Sequence, residues 1–267
     1  MNTKNQQYAL ITGATSGIGY ELAKLFAKDG YNLVIIAREE NELLSTANEI
    51  RDIYNVDVTT LSKDLFERQA AFELYDDIQS RGIQINVLVN NAGQGQYGEF
   101  IDTDIDREID IIQLNIVSLV VLTKLFLKDM VERGHGKILN VASIAGKLPG
   151  PLQSVYHGTK AFVHSFTEAI RSEVKDMGIT VTSLLPGATE TDFFNKADML
   201  DAKNVKEGKL ADPADVAKDG FDALMRGDDM VVSGFKNKMQ VAMSNIMPDE
   251  TVAHSVHKQQ EPKESEA

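Results

Sequence analysis

The chain has 267 residues, with 27 Lys plus Arg against 40 Asp plus Glu, a formal net charge of −13 at pH 7. A chain this acidic, with no Lys/Arg cluster, lacks the long-range attraction for polyphosphate that drives non-specific nucleic-acid binding and docking on anionic lipid, so neither nucleic acid nor membrane is expected as a partner. The absence of cysteine rules out disulfides, thiolate nucleophiles and Cys-ligated metal centres. No uninterrupted apolar run approaches the roughly 18 residues of a membrane span, and the polar start, Met1 to Gln7, is no signal segment. A cytoplasmic location is expected.

Short apolar runs alternate with stretches of helical period. Tyr8–Thr12 is the first strand candidate and Gly17 to Gly30 the first helix, followed by Asn32–Ala37. Further strands are predicted at 58–61, 87–89, 137–141, 179–185 and 230–232, with helices near 40–53, 67–80, 104–132, 155–177 and 213–226. Continuously apolar strands separated by helices belong to a parallel sheet covered on both faces. The expectation is an α/β fold with one Rossmann-type doubly wound sheet of about seven strands, residues 1–248, in which 190–210 forms a substrate lid. Residues 249–267 carry five acidic residues and two lysines, with only two valines to bury. Such a segment is expected to be a disordered acidic tail.

The first strand runs directly into Thr12-Gly-Ala-Thr-Ser-Gly-Ile-Gly19. Gly13, Gly17 and Gly19 let the backbone turn and approach a pyrophosphate, and the free amides at the helix start, with Thr15, Ser16 and Ile18, favour its negative charge. The strand, turn and helix that a dinucleotide loop requires are all present. After the second strand, where a carboxylate would bind the ribose diol of NAD, Ala37 is followed by Arg38. A guanidinium there accepts a 2′-phosphate, so NADP(H) is preferred, with NAD(H) possible. A solvated Arg38 paired with Glu39 or Glu40 is the competing reading.

Asn90-Asn-Ala-Gly93 closes the fourth strand, Ser143 follows the fifth, and Tyr156-His-Gly-Thr-Lys160 opens a helix. Together with the glycine loop and Pro186-Gly187, these motifs resemble the short-chain dehydrogenase/reductase family in its compact single-domain branch, over about residues 7 to 235. The resemblance implies that Asp64, with Leu65, meets the adenine and that Asn91, Ala92 and Gly93 run along the cofactor. It further implies that Pro186, Gly187, Thr189 and Thr191 hold the nicotinamide carboxamide and pyrophosphate, and that Asn115 holds a water linking Lys160 to solvent. The segments 91–98 and 211–234 depart from members with known steroid, sugar or acyl-carrier substrates and look like a subgroup of bacterial oxidoreductases with broad or unassigned carbonyl substrates.

Reducing a ketone needs a hydride and a proton delivered to the developing alkoxide. Tyr156 is a suitable acid and base once a nearby ammonium lowers its pKa from near 10. Lys160, four residues on, shares its helical face, and Ser143 can hold the carbonyl oxygen. Singly each residue has an ordinary structural explanation; jointly they meet a mutual-geometry requirement. His157 is expected to point about 100° away from Tyr156, and no metal site is expected. Gln94, Tyr97, Leu148, Gln153 and the lid, with Phe193, Phe194, Met199 and Leu200, should converge at the carboxyl ends of the strands around a hydrophobic ketone or aldehyde. The expected function is an NADP(H)-dependent oxidoreductase interconverting a carbonyl and an alcohol, and the alternative is a non-catalytic NADP-sensing protein. The 104–132 helix, apolar nearly all round, and the 155–177 helix are expected to build a homodimer or homotetramer.

Overall fold

A computed structural model describes residues 7–262. The strand β1 (Tyr8–Thr12) leads into α1 (Gly17–Lys28), and β2 (Asn32–Ala37) into α2 (Glu40–Tyr54). Next come β3 (Val58–Ser62), α3 (Ala70–Ser80) and β4 (Ile85–Asn90). The long helical stretch comprises α4 (Ile105–Ile112), a π-helical turn at Gln113–Ser118, and α5 (Leu119–Arg133). After β5 (Gly136–Val141) and a 3-10 turn at Ile144–Lys147 come α6 (Ser154–Val174) and β6 (Ile179–Leu185). Two single-turn helices, α7 (Phe193–Lys196) and α8 (Lys203–Lys206), precede α9 (Pro213–Arg226), β7 (Met230–Val232), α10 (Phe235–Ser244) and α11 (Asp249–Gln260).

The seven strands form one parallel sheet in the order β3-β2-β1-β4-β5-β6-β7, the expected doubly wound arrangement. Side chains alternate across it, and both faces are apolar because both are covered. From β1, Ala9 and Ile11 pack with Leu22, Phe26, Leu43 and Leu224 of α1, α2 and α9. Leu10 faces the other way, toward Leu74, Ile78, Leu122, Phe126 and Ile170 of α3, α5 and α6. The strand order reverses between β1 and β4, and there the chain ends open a crevice. That point is tied by side chains: the Thr12 hydroxyl accepts from the Asn91 and Ala92 amides at 3.0 Å each. Asn91 Nδ2 in turn donates to the Thr12 and Gly13 carbonyls at 2.9 and 3.0 Å. One residue back, Asn90 donates to Asn140 Oδ1 at 2.8 Å and to Thr123 Oγ1 at 3.0 Å, bridging β4, β5 and α5 inside the core.

The stretch Ile105–Arg133 is long and apolar enough to cross a membrane by length and composition, although polar and charged residues, Asp110, Gln113, Asn115, Ser118, Thr123 and Lys124 among them, interrupt its apolar run. In the fold its Ile111, Leu114, Leu122, Phe126 and Met130 are buried against the sheet and its neighbours. One expectation is corrected, that of the tail. Residues 249–260 form α11 rather than a disordered segment, because Val252 and Val256, one turn apart, bury themselves against Leu148 with Met247 alongside. Glu261 and Pro262 then clip onto the lid, where Lys203 N donates to the Glu261 carbonyl at 3.0 Å and Ala202 bridges Pro262. The rest of the expected tail, 263–267, lies outside the described residues.

Candidate active site

At the β1–α1 turn, Gly13 and Gly17 adopt positive φ of +66° and +55°. Gly19 is packed so tightly that a Cβ there would run into the Gly13 carbonyl oxygen and Asn91 Nδ2. Ser16, the residue at the head of α1, spends no side-chain hydrogen bond on capping, so the first amides of the helix are available to an anion. This loop floors a cavity of about 540 Å3 that extends from Arg38 to Tyr156. Of the residues expected to hold a dinucleotide, Gly13, Thr15, Ser16, Gly17, Ile18, Arg38, Asp64, Leu65, Asn91, Ala92, Gly93, Pro186, Gly187, Thr189 and Thr191 all line it. Gly19 stands behind the loop, buried.

Arg38 is exposed and in no ion pair among the described residues; its guanidinium lies 5.5 Å from the Phe66 ring centroid, and Arg107 approaches the same ring at 5.2 Å. Glu39, Glu42 and Lys63 share this end of the cavity. Lys63 is occupied by Glu73 and Asp77, each at 3.1 Å. Asp64 accepts from the Phe66 amide at 3.1 Å, which folds the strand-end turn.

At the other end, Ser143 follows β5 and caps the 3-10 turn, accepting from the Ala145 amide at 3.1 Å and donating to the Pro186 carbonyl at 3.3 Å. Its hydroxyl is also a hydrogen-bond partner of the Tyr156 phenol. Tyr156 and Lys160 lie one turn apart on α6, with Lys160 Nζ 5.8 Å from the Tyr156 ring centroid. That ammonium donates to the Val141 carbonyl at 2.8 Å. Gly93 leaves room for it: a Cβ would sit 3.2 Å from both Lys160 Nζ and Asn115 Oδ1. Asn115 falls inside the π-helical turn, a distortion that often marks functional positions. It clasps the Gln94 backbone, donating to the carbonyl at 2.8 Å and accepting from the amide at 3.0 Å, and donates to Thr159 Oγ1 at 3.0 Å. The four residues expected to act together are thus brought together.

The electrostatics differ from expectation. Burial pushes the Tyr156 phenol up to about 12, opposed only in part by the Ser143 hydrogen bond. Burial also pushes the Lys160 ammonium down to about 8. Desolvation thus outweighs the expected lowering of the phenol, since the lysine loses its own charge before the tyrosine ionises. His157 was expected to turn away. It is buried, lines the same cavity, and holds its Nδ1 2.8 Å from the Leu148 carbonyl. In the lid, Phe193 packs on the Tyr156 ring at 5.0 Å, and Phe194, Ala197, Met199 and Ala202 form a small core with Tyr97. Leu200 points outward instead. Sequence reading missed Phe66, His157, Asn237, Val256 and Gln260, all of which line the cavity. Phe66, two residues past Asp64, was within reach of a motif argument; Val256 and Gln260 gave no local signal.

Residues 7–200 match the family profile described as short chain dehydrogenase. Among sequence relatives, the very-long-chain 3-oxoacyl-CoA reductase of Rattus norvegicus is 39% identical over 186 residues, 67% of this chain and 58% of the relative. That of Anas platyrhynchos is 42% identical over 185 residues, with the same coverage. The chain therefore matches little more than half the length of these curated relatives. Among solved structures, a short-chain dehydrogenase from Sphingobium yanoikuyae in complex with NADPH aligns with a TM-score of 0.80 at 28% identity, covering 90% of this chain and 96% of that one. The bulky-bulky ketone specific alcohol dehydrogenase from Comamonas testosteroni aligns at 0.76 and 27%, covering 91% and 94%. The chain belongs to the short-chain dehydrogenase family.

Proposed function

We propose that the protein is an NADP(H)-dependent oxidoreductase that interconverts a ketone or aldehyde and the corresponding alcohol. The observation that carries this reading is the convergence of Ser143, Tyr156 and Lys160 on the cavity that the glycine loop floors. The fit to a dinucleotide rests on the cradle itself: positive-φ glycines, an uncapped helix start, and a Gly19 site with no room for a side chain. Gly13 to Gly19 would hold the pyrophosphate, Asp64 and Leu65 the adenine, and Arg38 a 2′-phosphate. Asn91 to Gly93, Pro186, Gly187, Thr189, Thr191 and Lys160 would hold the nicotinamide half. When bound, the reduced nicotinamide supplies the hydride. A phenol held near 12 keeps its proton until an alkoxide of higher basicity forms beside it, so Tyr156 is the proton donor for reduction. Ser143 Oγ gives the substrate oxygen a second hydrogen bond. Lys160, one turn along α6, would recharge the phenol, and Asn115 fixes the Gln94 backbone beside it.

The apolar lid over Tyr156 favours a hydrophobic carbonyl substrate. The names of the similar proteins, a very-long-chain 3-oxoacyl-CoA reductase and a bulky-bulky ketone specific alcohol dehydrogenase, agree with that class. The protein is assayed by NADPH oxidation against ketones, aldehydes and quinones; no turnover of any of them overturns the proposal. Tyr156→Phe is expected to keep NADPH affinity within about twofold and to lose at least about a hundredfold in kcat. Retained turnover would reject Tyr156 as the acid.

A further inference from the structure

The cavity is also lined by side chains that the redox chemistry does not use. Gln153, at the head of α6, and Gln260, at the end of α11, line it while only 5% and 6% exposed. Each carries a buried polar atom with no partner, Nε2 of Gln153 and Oε1 of Gln260. Unpaired buried amides are costly and uncommon, and here these two, 107 positions apart in the chain, border one cavity together with a third, Oδ1 of Asn204.

His157 fixes which atom of Gln260 is left over. Burial holds the imidazole below its ordinary pKa and neutral, against the pull of the Leu148 and Ala145 carbonyls. Its Nδ1 lies 2.8 Å from the Leu148 carbonyl, which can only accept, so Nδ1 carries the hydrogen and Nε2 is an acceptor. Gln260 Nε2 lies 3.5 Å from that acceptor, which orients the amide with Oε1 unpaired. The Gln260 backbone is fastened as well, its carbonyl accepting from the Tyr97 hydroxyl at 2.5 Å. Between the two glutamines, the atoms left over are thus one donor, on Gln153, and one acceptor, on Gln260.

We propose that Gln153 and Gln260 form a polar subsite of the substrate cavity that binds a hydroxyl group on the substrate, at a distance from the reacting carbonyl. A hydroxyl satisfies both atoms at once, accepting from Gln153 Nε2 and donating to Gln260 Oε1. The substrate class narrows to hydroxylated hydrophobic ketones, with α11 a wall of the specificity pocket. This rests on the carbonyl-reductase reading for the identity of the reacting group, but the subsite is tested by binding alone.

The test uses ketones of one apolar skeleton with a hydroxyl walked along it, against the parent ketone. Dissociation constants are measured by calorimetry on the NADPH-loaded wild-type protein and on its Tyr156→Phe variant. At one hydroxyl position binding is expected to tighten at least about tenfold over the parent. Gln153→Met and Gln260→Met are each expected to shrink that ratio to about threefold or less, and Gln260→Ala serves if the methionine variant does not fold. A ratio below about twofold at every position, or one that survives both substitutions, overturns the subsite. Hydroxyl-dependent binding without turnover in the wild type would instead reject the reductase reading and leave the subsite standing.

Discussion

Lys160 carries the sharpest conflict between stability and use at the level of single residues. Its folded pKa of about 8 lies below the ordinary 10.5, so between those values the unfolded chain binds more protons than the folded one. Stability therefore rises with pH across that window and is lowest below pH 8, where the buried ammonium costs up to about 3 kcal/mol. Lys160→Met is expected to raise the Tm of the cofactor-free protein by several degrees at pH 7, and the gain should shrink toward pH 10. Thermal melts at the two pH values check it, and an equal or lower Tm at pH 7 would show that the 2.8 Å bond to Val141 outweighs desolvation. Arg38 makes the second argument at this scale. It is exposed, free of ion pairs among the described residues, and lies over the Phe66 ring in the cavity wall. Arg38→Ala should weaken NADPH at least about tenfold while changing NADH by less than about threefold, since a lost guanidinium–phosphate fork matters only where the phosphate is. Equal losses for both nucleotides would remove the basis for NADP selectivity.

At the scale of elements, the sheet was legible because each of its strands announces itself. A strand buried on both faces is mostly apolar on both, as in β1, where alternation turns Leu10 and Ile11 toward opposite cores. The catalytic candidates were legible for a similar cause, since Tyr156 and Lys160 are held by one helical turn and Ser143 by a strand end. What escaped the sequence depends on partners far along the chain. The π-helical turn that sets Asn115 answers to the Gln94 backbone and to Thr159, which no local period encodes. Helix α11 was invisible because its stripe is only Val252 and Val256, and what they bury against, Leu148, lies about a hundred residues away. Its packing is correspondingly thin. Val256→Asp is expected to release the helix without lowering the main unfolding transition by more than a degree or two, because only a terminal element loses its contact. Limited proteolysis should then cut within 249–260 at least about tenfold faster than in the wild type. An unchanged cutting rate would mean that the latch of Glu261 and Pro262 to the lid, not the valines, holds the segment.

For the molecule as a whole, the charge of −13 and the apolar surface pull in opposite directions. Net charge of one sign keeps copies apart at long range, so association has to come from short-range burial of specific surface. The surface of α4 offers it: Ile105, Ile109 and Ile112 are 62%, 54% and 39% exposed, spaced to lie along one side of the helix. Phe162 of the adjoining α6 is 40% exposed. A stripe of this kind, left open beside a helix that also carries Tyr156 and Lys160, is what a second copy would cover, giving a homodimer or homotetramer through these two helices. Because the charge repulsion is screened by salt and the apolar contact is not, the assembly should tighten as ionic strength rises. Sedimentation of the wild type is expected to show a dimer or larger at micromolar concentration, and Ile109→Asp to shift it to monomer by burying an unpaired carboxylate in the contact. A wild type that remains monomeric in both low and high salt would reject this interface. An Ile109→Asp protein that stays assembled would instead place the contact on another surface.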